Sequence, residues 1–139
     1  STNYAVLACQ DFPMCQGQWW PPMDFASGFE LWRPLGMDGK GQPIVFEALT
    51  AIHYTHRTFA WVVFGVLGFA GWRLWGHPHA RATGLLLWTL AGWQLLSGVS
   101  NVVLEWPLVA ALAHTGGAAA SVIVISGWLA RCHLNKEKM

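Results

Sequence analysis

An all-α membrane protein, three transmembrane helices preceded by a long loop outside the membrane, is the fold class this sequence predicts. Three observations carry it. Hydrophobic residues make up 54% of the 139 and charged residues only 11%, whereas soluble domains carry about 25% charge. Mean hydropathy is positive, at +0.36. Beyond residue 47 the apolar residues gather into three runs, each long enough to supply the roughly 20 residues that cross a bilayer. The lipid bilayer is thus the partner that composition implies. A formal net charge of +1, with no basic stripe to neutralise phosphates, excludes nucleic acid. The chain opens at Ser1 in a polar, irregular stretch without a signal peptide, which raises the expectation that it is a piece of something longer.

Residues 1–47 hold Pro13, Pro21, Pro22, Pro34 and Pro43, several glycines and no long apolar run. Irregular backbone facing lipid would leave its amides and carbonyls unsatisfied, so this region is expected to be a loop outside the hydrocarbon. Its aromatic cluster, Phe12, Trp19, Trp20, Phe25, Phe29 and Trp32, suits the membrane surface, where amphipathic rings collect. A short amphipathic helix is expected at about 24–32.

The spans are expected at about 48–75, 82–103 and 108–131. They are separated by Gly76-His77-Pro78-His79-Ala80-Arg81 and by Leu104-Glu105-Trp106-Pro107. Pro107 suits the first turn of a new helix, where its missing N–H costs nothing. Arg73 and Arg81 flank the first connection, and Arg131, Lys136 and Lys138 follow the last span. In the leading loop Arg33 and Lys40 are set against Asp11, Asp24, Glu30, Asp38 and Glu47. The positive-inside rule then makes the first connection and the C-terminus cytoplasmic and the leading loop extracytoplasmic. The chain divides into that loop, 1–47, and a membrane region, 48–139.

This orientation organises the three cysteines. Cys9 and Cys15 fall where an oxidising compartment permits a disulfide, and the segment between them is short and turn-prone. The alternative is two unpaired buried thiols. Cys132 falls on the reducing side and reads as a free thiol.

The histidines carry the function. His53-Tyr54-Thr55-His56-Arg57 and His114 lie inside the first and third runs, and ionisable groups at membrane depth usually serve a ligand, a proton path or an ion. Counted from the expected helix starts, His53 lies roughly 8 Å, His56 roughly 12 Å and His114 roughly 9 Å along. Two such positions on two helices are a natural way to grip a heme iron from both sides. The run Gly116-Gly117-Ala118-Ala119-Ala120 after His114 leaves room either for close helix packing or for a flat cofactor. Gln94, Ser97 and Asn101 form one polar stripe on the second span. His53 and His56 share a helix face, and only one need bind iron; the other has a cofactor carboxylate or its helix neighbours to bond. Arg57 is expected either to pair with an acidic group or to extend toward the headgroups. His77, His79 and His133 read as solvated. Zinc fits less well, since it wants about four donors and no thiol or carboxylate shares this depth.

The stretches Ser1-Thr2-Asn3-Tyr4, Cys9-Gln10-Asp11-Phe12-Pro13-Met14-Cys15 and Trp19-Trp20-Pro21-Pro22-Met23-Asp24-Phe25 resemble the heme A synthase family. So do Ala48-Leu49-Thr50-Ala51-Ile52-His53-Tyr54-Thr55-His56-Arg57 and Ala113-His114-Thr115-Gly116-Gly117, in the family's order. The resemblance implies eight spans in two pseudo-symmetric four-helix halves, of which this chain is similar to the C-terminal one without its first helix. It implies His56 and His114 as axial ligands of a b-type heme, and heme O as substrate in the other half; His53 and Arg57 join them as candidate cofactor-binding residues by their place beside His56. The implied reaction oxidises the C8 methyl group of heme O to a formyl group in cytochrome oxidase biogenesis. It further implies as partners the missing N-terminal half or its equivalent, heme O synthase and cytochrome oxidase assembly factors, in the cell inner (plasma) membrane. No second histidine pair and no Glu-x-x-His-Arg sequence is present, so this chain alone is not expected to be an active synthase.

Two rival readings belong to other classes. A membrane thiol-disulfide/quinone oxidoreductase would use Cys9 and Cys15 but needs a second redox partner and leaves the histidines unexplained. A non-catalytic assembly module would use the histidines for packing and carry no cofactor.

Overall fold

The structure, a computed structural model, describes residues 8–32, 34 and 36–136. The Ser1-Thr2-Asn3-Tyr4 motif, Arg33 and Lys138 lie outside the described residues. Four helices follow one another: α1 Phe25–Gly28, α2 Phe46–Trp75, α3 Arg81–Val103 and α4 Leu108–Lys136. The last three are long and apolar enough to cross a membrane, and the described residues contain isolated bridges but no strand. The protein is an all-α membrane protein.

The helix ends follow local chemistry. α2 starts at Phe46 rather than 48, with Glu47 in its first turn, where a carboxylate complements the positive end of the helix dipole. α4 runs beyond 131 to Lys136, a stretch in which Arg131, Leu134 and Lys136 are good helix formers. Pro107 stands immediately before α4. The expected helix at 24–32 shrinks to one turn. Asp24 caps it by accepting the Ser27 amide at 3.1 Å. It ends at the C-cap Phe29, and Glu30 beyond it accepts the Gly39 amide at 2.8 Å.

Contacts group the chain into two units, Ser1–Trp61 with Val99–Pro107, and Val62–Gly98 with Leu108–Met139. In the first, the leading loop lies on the start of α2. Ala48, Thr50 and Ala51 are fully buried, and the Asp24 amide donates to the Glu47 carbonyl at 3.0 Å. Gly28 is buried so close to α2 that a Cβ there would stand 2.9 Å from the Ala48 carbonyl oxygen.

In the second unit the core is Leu67, Leu74 and Leu87, with Ala70, Ala91, Val124, Ile125 and Trp128 packed around them. Large apolar residues elsewhere on these helices, such as Phe69, Trp72, Val122 and Ile123, are exposed. That is expected of spans whose outer faces meet lipid tails and gain nothing from being covered.

Candidate functional site

In the first unit the Cys9–Cys15 segment forms a ring bound to one face of α2. Cys9 and Cys15 are disulfide-bonded, with Cα atoms 4.6 Å apart, and both are fully buried. Closing so short a loop stabilises by about 2 kcal/mol through the unfolded chain. A thiolate must reach a sulfur to exchange with it, so burial favours a bracing role for this bond.

Three α2 side chains hold the ring. His53, four residues before Arg57, accepts the Cys9 amide at Nδ1, 3.2 Å. Thr50 Oγ1 donates to the Phe46 carbonyl and accepts from Gln16 Nε2 at 2.9 Å. Arg57 Nη1 donates to the carbonyls of Met14 at 2.7 Å, Asp11 at 3.0 Å and Pro13 at 3.5 Å, with its guanidinium 5.5 Å from the Phe12 ring centre. All four of those residues lie between the two cysteines. Among the described residues Arg57 bonds to ring carbonyls and not to a carboxylate, although the Asp11 charge still acts on it. Its Nη2 is buried with no hydrogen-bond partner among the described residues.

Asp11 organises the ring from the other side, accepting the Gln16 and Gly17 amides at 2.7 and 2.8 Å. Desolvation pushes its carboxyl up, but those two amides, together with the Arg57 charge, outweigh that and leave it below its ordinary 3.8. A depressed carboxylate contributes stability that is full above 3.8 and is lost as pH falls through the lower folded value. The ring is therefore expected to loosen on acidification below about pH 4. Asp11→Asn should be looser at neutral pH and lack that acid transition, followed by Trp19 and Trp20 fluorescence against pH.

The chemistry of the two α2 histidines now separates. A neutral His53 whose Nδ1 accepts an amide carries its proton on Nε2. In that state neither nitrogen presents a lone pair to a metal. His56 lies on the same helix in the first unit and is exposed.

His114 lies in the second unit, half-buried, with Nδ1 3.0 Å from Ser97 Oγ. Trp93 Nε1 donates to the carbonyl of Ala113, the residue before His114, at 3.0 Å. The glycine run supports close packing here: a Cβ at Gly117 would stand 2.6 Å from Trp93 Cδ1. Of the polar stripe, Ser97 and Asn101 are buried. The Asn101 amide and Gln94 Oε1 have no hydrogen-bond partner among the described residues. His77, His79 and His133 are exposed, and Cys132 is exposed and unpaired.

No group of three or more His, Cys, Asp or Glu is placed to hold a metal ion among the described residues. A porphyrin iron asks less of the protein, since the macrocycle supplies four donors and the protein one or two.

The model of the cytochrome oxidase assembly protein family, COX15-CtaA, matches residues 1–126. The chain belongs to this family. A relative from Shewanella oneidensis named heme A synthase is 33% identical over 125 residues, covering 90% of this chain and 38% of its own. A heme A synthase from Methylobacterium radiotolerans is 33% identical over 116 residues, 81% of this chain and 29% of its own. The chain thus spans about a third of the curated relatives it matches. No solved structure gives a significant match. Membership of the COX15-CtaA family, together with three helices long and apolar enough to cross a bilayer, makes this a multi-pass membrane protein, as the sequence motifs implied.

Proposed function

We propose that this chain is the heme b-binding part of a heme A synthase, which oxidises the C8 methyl of heme O to a formyl group for cytochrome oxidase. The observation that carries the reading is the likeness to two proteins of that name over most of this chain. The leading loop is extracytoplasmic and the C-terminus cytoplasmic, in the cell inner membrane, with the basic residues distributed accordingly. The remainder of the enzyme supplies the heme O site and interacts with heme O synthase or assembly factors.

In this reading His56 and His114 are the iron ligands and His53 is not. The residues present fit a heme. His53 is engaged by the Cys9 amide, which leaves His56 as the ligand from α2. Arg57 Nη2, a buried donor without a protein partner among the described residues, suits a propionate carboxylate. His114 has Nδ1 turned to a hydroxyl, so Nε2 is the coordinating nitrogen. A heme with two protein ligands supplies one-electron transfer and has no open iron position for oxygen. The chain's own residues bind and orient it, and the Cys9–Cys15 ring braces Arg57 and His53 on α2.

The test is a reduced-minus-oxidised absorption spectrum of the protein purified in detergent. Sharp low-spin bands are expected, lost or shifted in His56→Ala and in His114→Ala and kept in His53→Ala. Bands that persist unchanged in His114→Ala sink the ligand assignment.

A further inference from the structure

We propose that Ser97 is a positioning residue for His114, fixing the imidazole in the tautomer that carries its proton on Nδ1 and offers the Nε2 lone pair to iron. This rests on the heme-ligand reading above and adds the residue that enforces it.

One hydroxyl proton decides the tautomer. A serine has a single O–H to donate and two lone pairs with which to accept. Ser97 Oγ lies 2.8 Å from the Trp93 carbonyl, one helical turn back, and 3.4 Å from the Gln94 carbonyl. This is the bond that helical serines make to the carbonyl four residues earlier. A carbonyl cannot donate, so the proton of that short contact comes from Ser97. With its hydrogen directed to Trp93, Ser97 Oγ meets His114 Nδ1 at 3.0 Å as an acceptor. The ring must then hold its own proton at Nδ1, and a neutral imidazole protonated there carries its lone pair on Nε2. The reverse arrangement, Ser97 donating to Nδ1, would put the proton on Nε2 and remove the ligand.

Packing holds the arrangement in place. Ser97 is 7% exposed, so bulk water competes little for its hydroxyl. The next residue is Gly98, where a Cβ would stand 3.2 Å from His114 Cε1 and 3.5 Å from Nδ1. The absence of that carbon lets the ring lie against α3 within reach of Ser97. Trp93 therefore acts on this turn of α4 directly, through its indole on Ala113, and indirectly, through the α3 carbonyl that takes the Ser97 proton. Hydrogen bonds to the far nitrogen of a ligating histidine fix ring orientation and raise ligand basicity. A more electron-rich imidazole favours ferric iron and lowers the midpoint potential.

The experiment compares Ser97→Ala, Ser97→Thr and His114→Ala in the detergent-purified protein, by heme retention and by redox titration of the low-spin bands. Ser97→Ala is expected to weaken heme retention by about tenfold or more and to move the midpoint potential upward. Ser97→Thr keeps a hydroxyl able to make the same backward bond and is expected to restore both. Should Ser97→Ala fail to accumulate, Ser97→Cys takes its place, with a sulfur that accepts more weakly and the same upward direction. An unchanged potential in Ser97→Ala, alongside lost bands in His114→Ala, overturns the positioning role and leaves the ligand reading standing. Unchanged bands in His114→Ala overturn both.

Discussion

Arg57→Leu should release the Cys9–Cys15 ring from α2 without opening the ring itself. Arginine at this position makes two well-formed charge-assisted bonds, to the Met14 and Asp11 carbonyls at 2.7 and 3.0 Å. The Pro13 contact at 3.5 Å is at the outer limit of hydrogen-bond geometry. Bonds to charged groups contribute about 1.5–3 kcal/mol each, and leucine returns none of that to the carbonyls. Because the three share one guanidinium their effects are not additive, and a loss of about 2–4 kcal/mol in ring docking is expected. At 3 kcal/mol this corresponds to roughly a hundredfold faster amide exchange across residues 9–17. The disulfide stays closed, but the two sulfurs, fully buried in the docked ring, become accessible to a dithiol reductant. Arg57→Lys should recover only part, since its ammonium is a compact, strongly hydrated charge on a flexible stem. Exchange and reduction rates equal to those of the unaltered protein would remove Arg57 from the role of anchor.

That anchor marks the boundary of what the sequence could tell. The spans were legible because a bilayer imposes length and apolarity on any segment that crosses it, and the observed helices begin or end within a turn or two of expectation. The Cys9–Cys15 bond was legible from spacing and compartment. Arg57 was picked out by its place beside His56, yet its partners were not foreseeable. They are backbone carbonyls, present at every residue, and only the folded ring determines which of them converge. The same holds for His53: nothing in its spacing from His56 reveals that the Cys9 amide occupies its Nδ1. On α3 the polar stripe was visible as a period, whereas the bond between His114 and Ser97 depends on how two helices are rotated. The Gly98 gap beside the ring depends on it too. The shortened α1 is a third case: it ends at Phe29, and the partner of Glu30, the Gly39 amide, is again a backbone group.

Gly84→Ala should destabilise the second unit although alanine is the better helix former. An alanine in a helix interior is favoured over glycine by about 1 kcal/mol, so propensity alone predicts a gain. Packing predicts the opposite. Gly84 is buried, and a Cβ there would stand 2.7 Å from the Gly71 carbonyl oxygen and 3.2 Å from both Leu74 Cβ and the Trp75 amide nitrogen. Two of those three atoms are backbone, which cannot swing aside as a side-chain tip can, so α2 and α3 must separate at this crossing. The neighbouring contacts depend on that approach: Trp75 stacks on Trp88 with ring centres 5.5 Å apart, and Trp88 Nε1 donates to the Gly68 carbonyl at 3.2 Å. Overpacking of a fitted site costs about 1–3 kcal/mol, which exceeds the propensity gain, and Gly84→Leu should cost more. Gly92, on the same helix, supplies the control. It is exposed with nothing within 4 Å of a built Cβ, so Gly92→Ala should be neutral or slightly stabilising. Thermal unfolding in detergent, followed by tryptophan fluorescence, should rank Gly92→Ala highest, then Gly84→Ala, then Gly84→Leu. If Gly84→Ala instead unfolds together with Gly92→Ala, propensity outweighs packing here and the close crossing at Gly71 and Gly84 is not what holds these helices.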